Sequence, residues 1–383
     1  MVTDWAEFGN AIDAKDDSPW SPELYFAQTQ LALAMFEAAN AIDRKYESHL
    51  GLEAGESDAS VDAAVITAAR EVLVTRYPAR KQDIEYSYEL ALSMITDQSA
   101  RDKGIEIGRR SAEAAMATGK VDPEKKAPPY RPLTAPGVWV PVQLPSLRDE
   151  YRILPLWAIS SVADYMPPPP PSLTSEIWTR DFNEVKRLGG RSSSERTSVQ
   201  SRIARYRITP VIFPTLSAIA DMPGRSTVQN ARMLVLFNMA GDDTGIVTSN
   251  AKLNFNFWRP LTAIRNADQD GNPDTEIDPD WAPFIGTPNF PEYPCAHCSW
   301  SATVAEVLKA EVGNSPPGGV RVGSRSLDFA ATQVVPTFDQ WVSEVSFSRT
   351  LGGVHYRFSN EAGEALGRKI ARETLKLMPV LKE

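Results

Sequence analysis

Apolar residues recur at spacings of three and four along most of the 383-residue chain, and this pattern limits the fold more than any other feature. A clear example follows the Ser21-Pro22 pair, which is typical of a helix start: Leu24, Ala27, Leu31, Met35, Ala38 and Ile42. Further helices are predicted near 63–73, 82–96, 100–118, 175–188, 195–206, 228–240, 295–312, 325–345 and 360–378. Strands are few at best. The sequence therefore predicts an all-α protein made of packed helical bundles.

Prolines separate the helical pattern into two halves. They stand at 123, 128, 129, 132 and 136 and in the run Pro167 to Pro171, and they preclude regular helix over much of this stretch. The run could be a polyproline II motif for a partner. We favour a rigid connector, because the stretch lies inside a globular pattern. The predicted organisation is an N-terminal helical half (1–120), a connector (121–175) and a C-terminal bundle (176–383).

Composition is that of an ordinary globular protein, with 42% apolar and 23% charged residues. The formal net charge of −9 argues against nucleic acid or an acidic membrane surface as a partner. No apolar run reaches the roughly 20 residues of a membrane helix, and the start shows no signal-peptide pattern. Two cysteines three positions apart do not make the disulfide framework of a secreted fold. We expect a cytoplasmic protein.

The segment from Lys252 to Arg259 carries two cations seven positions apart. Two helical turns would place both on one helix face, pointing at one site. Alone, such a pair usually marks a solvated surface. The segment is mostly apolar between the cations, which favours partial burial, and buried cations need an anionic partner.

A second segment, Cys295-Ala296-His297-Cys298, follows two prolines at the start of a predicted helix. Free N–H groups and the positive end of the helix dipole favour an anion there, and His297 could move a proton to or from it. The same residues resemble a thiol redox motif, although the βαβ setting of thioredoxin is absent. A zinc site lacks a convincing fourth ligand.

The third segment joins Arg349 to His355 across the pair Gly352-Gly353, which allows a tight backbone path. The planar fork of Arg349 suits a tetrahedral oxyanion. The three segments together hold at least three cations and two of the three histidines of an acidic chain. Coincidence is a poor explanation, so the sequence predicts one oxyanion site.

These segments resemble, in order, the signature of the vanadium haloperoxidase and PAP2-type acid phosphatase superfamily: Lys-x6-Arg-Pro, Pro-Ser-Gly-His and Ser-Arg-x5-His. The likeness spans roughly residues 130–375 and includes Asp243, Gly245, the lead-in from Phe290 and the stretch 361–368. It implies the helical fold of that superfamily, with vanadate as the cofactor, or phosphate or none if the altered motif has lost vanadate.

The resemblance also implies a role for each matched residue. His355 matches the axial vanadium ligand, which is the phosphorylated nucleophile in phosphatases. Lys252, Arg259 and Arg349 match the cations that neutralise the equatorial oxygens, and Lys252 would also polarise a bound peroxide. His297 matches the acid–base histidine.

Four more positions complete the expected site. Cys295 and Ala296 match residues that bind the oxyanion. Phe290 stands where chloroperoxidase-type proteins have phenylalanine and bromoperoxidases commonly have histidine, and we expect it to line a substrate pocket with Trp258.

Four departures from the family weaken the expected site. Cys295 replaces a serine, and a thiol is a weaker donor that peroxide can oxidise. Ala296 replaces a glycine and adds a methyl group where the chain approaches the anion. Ser359 replaces an aspartate, so the carboxylate that raises the basicity of His355 is expected to be missing. Ser249 replaces the tryptophan of chloroperoxidases. Efficient halogenation is therefore less expected than the fold.

Several activities remain open. Peroxide-dependent halide oxidation is favoured. Its expected partners are hydrogen peroxide, a halide and a small-molecule substrate, and a homodimer is the oligomeric state that we consider. The alternatives are phosphate-ester hydrolysis with His355 as nucleophile and non-redox acid–base chemistry, such as a rearrangement, in a vanadate-free site. The changes at Cys295 and Ser359 fit that last activity best. A non-catalytic helical protein that retains an anion site is the remaining interpretation.

Overall fold

The computed structural model describes residues 1–15, 22–120, 122, 131, 133–143, 150–326 and 332–381. Regular structure within them is mostly helical, which confirms the predicted all-α class. The helices are α1 (Val2–Asp13), α2 (Pro22–Tyr25), α3 (Ala27–Asp43), α4 (Val61–Arg76), α5 (Lys81–Ser93), α6 (Gln98–Met116), α7 (Glu176–Gly189), α8 (Ser198–Tyr206), α9 (Phe213–Ala220), α10 (Thr227–Phe255), α11 (Pro260–Arg265), α12 (Ala296–Val312), α13 (Phe338–Leu351) and α14 (Arg357–Thr374). No helix among these residues is long and apolar enough to cross a membrane.

A small antiparallel sheet has the order β1-β2-β3, formed by Pro210–Val211, Val320–Ser324 and Gln333–Val335. Val211 pairs with Gly323, and Val320 pairs with Val335. The helix predicted over 325–345 is therefore wrong in its first part, because β-branched residues form β3 and α13 begins only after the cap at Thr337. Residues 327–331 of that prediction lie outside the described residues.

Both halves of the chain contribute to the largest hydrophobic core. Helix α3 packs against α4, α6 and α10, and α12 packs against α10 and α14. Leu31 and Val72 from the N-terminal half share this core with Leu234 and Val304. The division at 121–175 stays a prediction, and its residues 121, 123–130, 132 and 144–149 lie outside the described part.

Helix α10 is 29 residues long and extends well beyond the predicted 228–240, so that Lys252 lies in its last turn. The helix ends at Asn256, whose left-handed conformation (φ 45°) turns the chain. Pro260 then starts α11, with Arg259 at its N-cap. The expectation that Lys252 and Arg259 share one helix face is therefore wrong, and the two cations belong to different elements.

Helix α14 approaches the first turn of α12 closely because two of its residues are glycines. A Cβ atom at Gly367 would lie 2.1 Å from the carbonyl oxygen of Ser299, and one at Gly363 would lie 2.6 Å from that of Cys295. The backbone of Cys295 also donates to the Ser359 carbonyl at 3.2 Å. This packing brings His355, which lies two residues before α14, beside the start of α12.

Candidate oxyanion site

Four of the predicted residues lie buried at the meeting point of four elements. Lys252 belongs to the last turn of α10 and Arg349 to the last turn of α13. Arg259 caps α11, and His355 lies just before α14. Their exposed fractions are between 1% and 3%, so three formal cations are withdrawn from water together.

The imidazole of His355 is held at both nitrogens. Its Nδ1 lies 2.6 Å from Glu292 Oε1, and its Nε2 lies 3.0 Å from Arg259 Nη1. Because a guanidinium can only donate, Nε2 carries the lone pair and Nδ1 carries the proton that Glu292 accepts. This tautomer leaves Nε2 suited to a metal-like centre or an electrophile.

Glu292 is a site residue that the sequence analysis missed. It supplies the carboxylate partner of His355 that was expected to be absent because of Ser359, so that expectation is wrong. Glu292 Oε2 and Ser359 Oγ have no hydrogen-bond partner of good geometry among the described residues, although the hydroxyl lies near enough to lower the pKa of the carboxyl. The only signal was an acidic residue inside the apolar stretch from Pro291 to Pro294.

Burial dominates the electrostatics of this carboxyl. It raises the pKa of Glu292 to about 7, against the opposing charges of Arg259 and Lys252. Burial and the nearby cations hold the pKa of His355 well below its ordinary value. The neutral imidazole is therefore the stable form of His355 in this environment.

Backbone carbonyls hold two of the three cations. Lys252 Nζ donates to the carbonyl oxygens of Pro291, Glu292 and Pro294 at 3.0, 2.8 and 2.5 Å. Arg259 donates to Val354 O at 2.7 Å and to Phe290 O at 3.0 Å. Burial lowers the pKa of Arg259 to about 10, and burial with the charge of Arg259 lowers the pKa of Lys252 well below its usual range.

Arg349 is the least satisfied of the cations. Its Nε and Nη1 have no hydrogen-bond partner among the described residues, and the side chain is 2% exposed. Burial and the charge of Arg259 lower its pKa to about 9. A buried guanidinium without an anion is costly. Among the described residues, the carboxyl group of Glu292 acts on Lys252 and Arg259, and no carboxyl group acts on Arg349. This excess of buried positive charge fits an added oxyanion such as vanadate or phosphate.

His297 lies at the edge of this cluster. Its Nε2 donates to the carbonyl oxygen of Ile208 at 2.7 Å, and the side chain is half-buried beside a cavity of about 550 Å³. Burial and the charge of Arg349 lower its pKa to about 3. His297 is therefore neutral, and proton uptake becomes easier only when an anion offsets the neighbouring cations.

Cys295 does not present a thiol, because its Sγ forms a disulfide with Cys298. The prediction that Cys295 offers a thiol donor to the oxyanion is therefore wrong. A spacing of three residues at a helix start brings the two Cα atoms to 5.3 Å, within the range of a disulfide. The Cys295 sulfur instead accepts the Cys298 N–H at 3.2 Å. Ala296 lines the cavity of about 550 Å³ beside His297 and also a neighbouring cavity of about 380 Å³.

The two predicted pocket residues occupy different places. The Phe290 ring lies 5.2 Å from Lys252 Nζ and 4.9 Å from Arg259 Cζ, and it lines a cavity of about 380 Å³ that reaches Lys252. Trp258 does not line this cavity. It is buried in an aromatic cluster and stacks on Trp178, with ring centroids 5.9 Å apart.

Known proteins resemble this chain most clearly in its C-terminal part. Residues 232–381 match the family model described as VCPO second helical-bundle domain. The vanadium chloroperoxidase of Curvularia inaequalis is 36% identical over 89 residues, which are 21% of this chain and 14% of that protein. The vanadium-dependent bromoperoxidase of Ascophyllum nodosum is 30% identical over 134 residues, which are 32% of this chain and 24% of that protein.

Solved structures resemble the chain over nearly its whole length. The first bacterial vanadium-dependent iodoperoxidase superposes with a TM-score of 0.79 at 19% identity. The superposition covers 100% of this chain and 96% of the iodoperoxidase chain. A holo-type bacterial vanadium-dependent chloroperoxidase superposes with a TM-score of 0.69 at 14% identity and covers 94% of each chain. At these identities the structural likeness shows the fold. Residues 232–381 are similar to the VCPO second helical-bundle domain, and the rest of the chain shares the fold of these solved structures.

Proposed function

We propose that this protein is a vanadate-dependent enzyme that oxidises halide ions with hydrogen peroxide. The observation that carries the proposal is the unpaired, buried guanidinium of Arg349 in one charge cluster with His355, whose Nε2 keeps its lone pair. The relatives named above are chloro-, bromo- and iodoperoxidases that depend on vanadium. Their activity supports the same class of chemistry here.

The residues have separate tasks in this proposal. His355 Nε2 would hold vanadate, and Glu292 would keep the imidazole in the required tautomer. Arg349, Arg259 and Lys252 would neutralise the oxygens through charge-assisted hydrogen bonds. Bound vanadate supplies a Lewis-acidic centre at which peroxide is activated for halide oxidation. Arg259 Nη1 now donates to the His355 lone pair, so it must release that nitrogen and turn to the anion.

His297 is the proposed proton carrier. Its pKa of about 3 makes it a poor acid while the cations are uncompensated. A bound oxyanion offsets the charges of Arg349, Arg259 and Lys252, and the pKa of His297 should then rise toward its ordinary value. The same histidine can then accept and return a proton during turnover.

Glu292 weakens the case for non-redox acid–base chemistry. That alternative depended partly on the loss of a carboxylate partner at Ser359, and Glu292 fills that role. Phosphate-ester hydrolysis would use the same cations with His355 as the nucleophile. An assay of halide oxidation therefore needs a parallel assay of phosphate-ester hydrolysis.

The direct test is an assay of the apoprotein with orthovanadate, hydrogen peroxide and a phenolic indicator. We expect bromination that requires vanadate and is lost in His355→Ala, and slower turnover with chloride, because chloride is harder to oxidise. Hydrolysis of a phosphate ester without halogenation would assign the protein to the phosphatases. Inactivity in both assays would contradict the proposal and favour acid–base chemistry or a non-catalytic protein.

A further inference from the structure

A cavity of about 380 Å³ extends along one face of α10 and reaches Lys252 at one end. Gly241, Gly245 and Ser249 follow one another at a spacing of four, so they share this face, and their small side chains leave it open. Four further aromatic residues line the cavity: Tyr25, Tyr151, Phe237 and Trp300. The volume suits a small organic molecule.

Asp242 places a carboxyl group in the wall of this cavity. Its Oδ2 accepts hydrogen bonds from Thr29 Oγ1 at 2.5 Å and from Trp157 Nε1 at 3.0 Å. Burial, with a further contribution from Asp243, raises the pKa of Asp242 to about 8, and none of the groups that act on it in the described chain is a cation. No cation stabilises the ionised form of this carboxyl group, so a cation bound beside it would favour its ionisation.

Thr248 gives an independent sign of a ligand. It lines the same cavity, it is 3% exposed, and its Oγ1 has no hydrogen-bond partner among the described residues. Buried hydroxyl groups are nearly always hydrogen-bonded, because an unsatisfied one loses its interaction with water. A polar group on a bound molecule would satisfy it.

We propose that this cavity binds an aromatic compound carrying a protonated amine, with the ammonium group on Asp242 and the ring between the aromatic walls. A carboxylate supplies the counter-charge, and tyrosine, phenylalanine and tryptophan faces attract a cation and pack against a ring. The inference deepens the proposed function and rests on it in one respect, since it names the class of molecule that would be halogenated.

The geometry also orients such a molecule. Asp242 and Lys252 are ten residues apart on one helix, or about 15 Å along its axis. An ammonium group at Asp242 therefore stays away from the cations around His355. The aromatic ring of an arylalkylamine extends from Asp242 toward Lys252, which is the end of the cavity where the oxidant would form.

Two probes with the same ring test the proposal by calorimetry, without vanadate, peroxide or halide. Tyramine carries the amine, and 4-ethylphenol lacks it. We expect tyramine to bind the wild-type protein at least about tenfold more tightly, because only it pairs with Asp242. Asp242→Asn should remove this difference and leave 4-ethylphenol unchanged. Asp221→Asn, which changes the net charge equally at an exposed position, should preserve it.

Equal affinity for both probes in the wild type, or undiminished tyramine binding in Asp242→Asn, would overturn the proposal. If Asp242→Asn fails to fold, Gly241→Ala provides a second test. Its added Cβ would lie 3.7 Å from Trp300 Nε1, an ordinary contact that narrows the cavity. We expect it to weaken both probes, and unchanged binding would show that they bind elsewhere.

His355→Ala separates this inference from the proposed function. We expect the variant to lose halide oxidation and to keep its preference for tyramine. A wild-type protein that prefers tyramine but oxidises no halide would support the amine site and contradict the peroxidase. A protein that oxidises halide but shows no preference would support the peroxidase and overturn the amine site.

Discussion

Replacing Arg349 with methionine is expected to stabilise the folded protein while it removes most of the affinity for oxyanions. The guanidinium is buried with two unpartnered nitrogen atoms, and such groups cost about 1–3 kcal/mol. Methionine is flexible enough to fill the space without a charge. Two lost charge-assisted hydrogen bonds should weaken orthovanadate binding by about 100-fold. Urea unfolding and calorimetric titration measure the two effects.

Arg207→Met is the matched control for this result. Arg207 is also fully buried with two unpartnered guanidinium nitrogens, but its Nη2 pairs with Glu344 at 2.7 Å. Its removal should destabilise the protein and leave vanadate affinity unchanged. If Arg349→Met instead lowered stability and bound vanadate like the wild type, the guanidinium would be a structural element and not an anion ligand.

Glu292→Gln is expected to lower vanadate affinity by about 10- to 100-fold, because groups that orient a ligating histidine have effects of this size. The amide lacks the negative charge that strengthens the donor power of His355 Nε2. It can also donate to Nδ1 and thereby favour the wrong tautomer. Ser359→Ala removes a nearby hydroxyl without a well-aligned partner and should leave affinity nearly unchanged. Equal losses in both variants would contradict a specific role for Glu292.

The free energy of unfolding of Glu292→Gln should also depend on pH differently from that of the wild type. The pKa of Glu292 is raised to about 7 in the folded protein, so the folded state keeps a proton that the unfolded chain releases near pH 4. Stability that depends on this proton is present below pH 4 and is lost as the pH rises toward 7. Glu292→Gln lacks this ionisation, so its unfolding free energy should change less over that window in urea titrations.

The sequence was sufficient for the class of fold and for the segments of the site. Helical periodicity is a local property, and it identified α3, α12 and α14 closely. It underestimated α10, because the run from Gly241 to Gly245 is rich in glycine and aspartate, which are unfavourable inside a helix. Tertiary packing of α10 against α3 and α12 overrides that preference.

Pairings that depend on distant parts of the chain could not be predicted. Glu292 and His355 are 63 positions apart, and nothing in the local sequence of either residue indicates the other. Ser359 is a misleading guide, because the carboxylate partner of His355 comes from Glu292 and not from the position four residues after His355. The disulfide of Cys295 was within reach of local reasoning, since its partner is three residues away at a helix start.

Orthovanadate titration of the apoprotein, followed by calorimetry, tests the oxyanion site most directly. Because Arg349 is unpaired and His355 Nε2 keeps its lone pair, we expect about one tight site per chain in the wild type. That site should be lost in His355→Ala, whose folded state is checked by urea unfolding. Undiminished binding in His355→Ala, or no binding to the wild type, would contradict a vanadate site at His355.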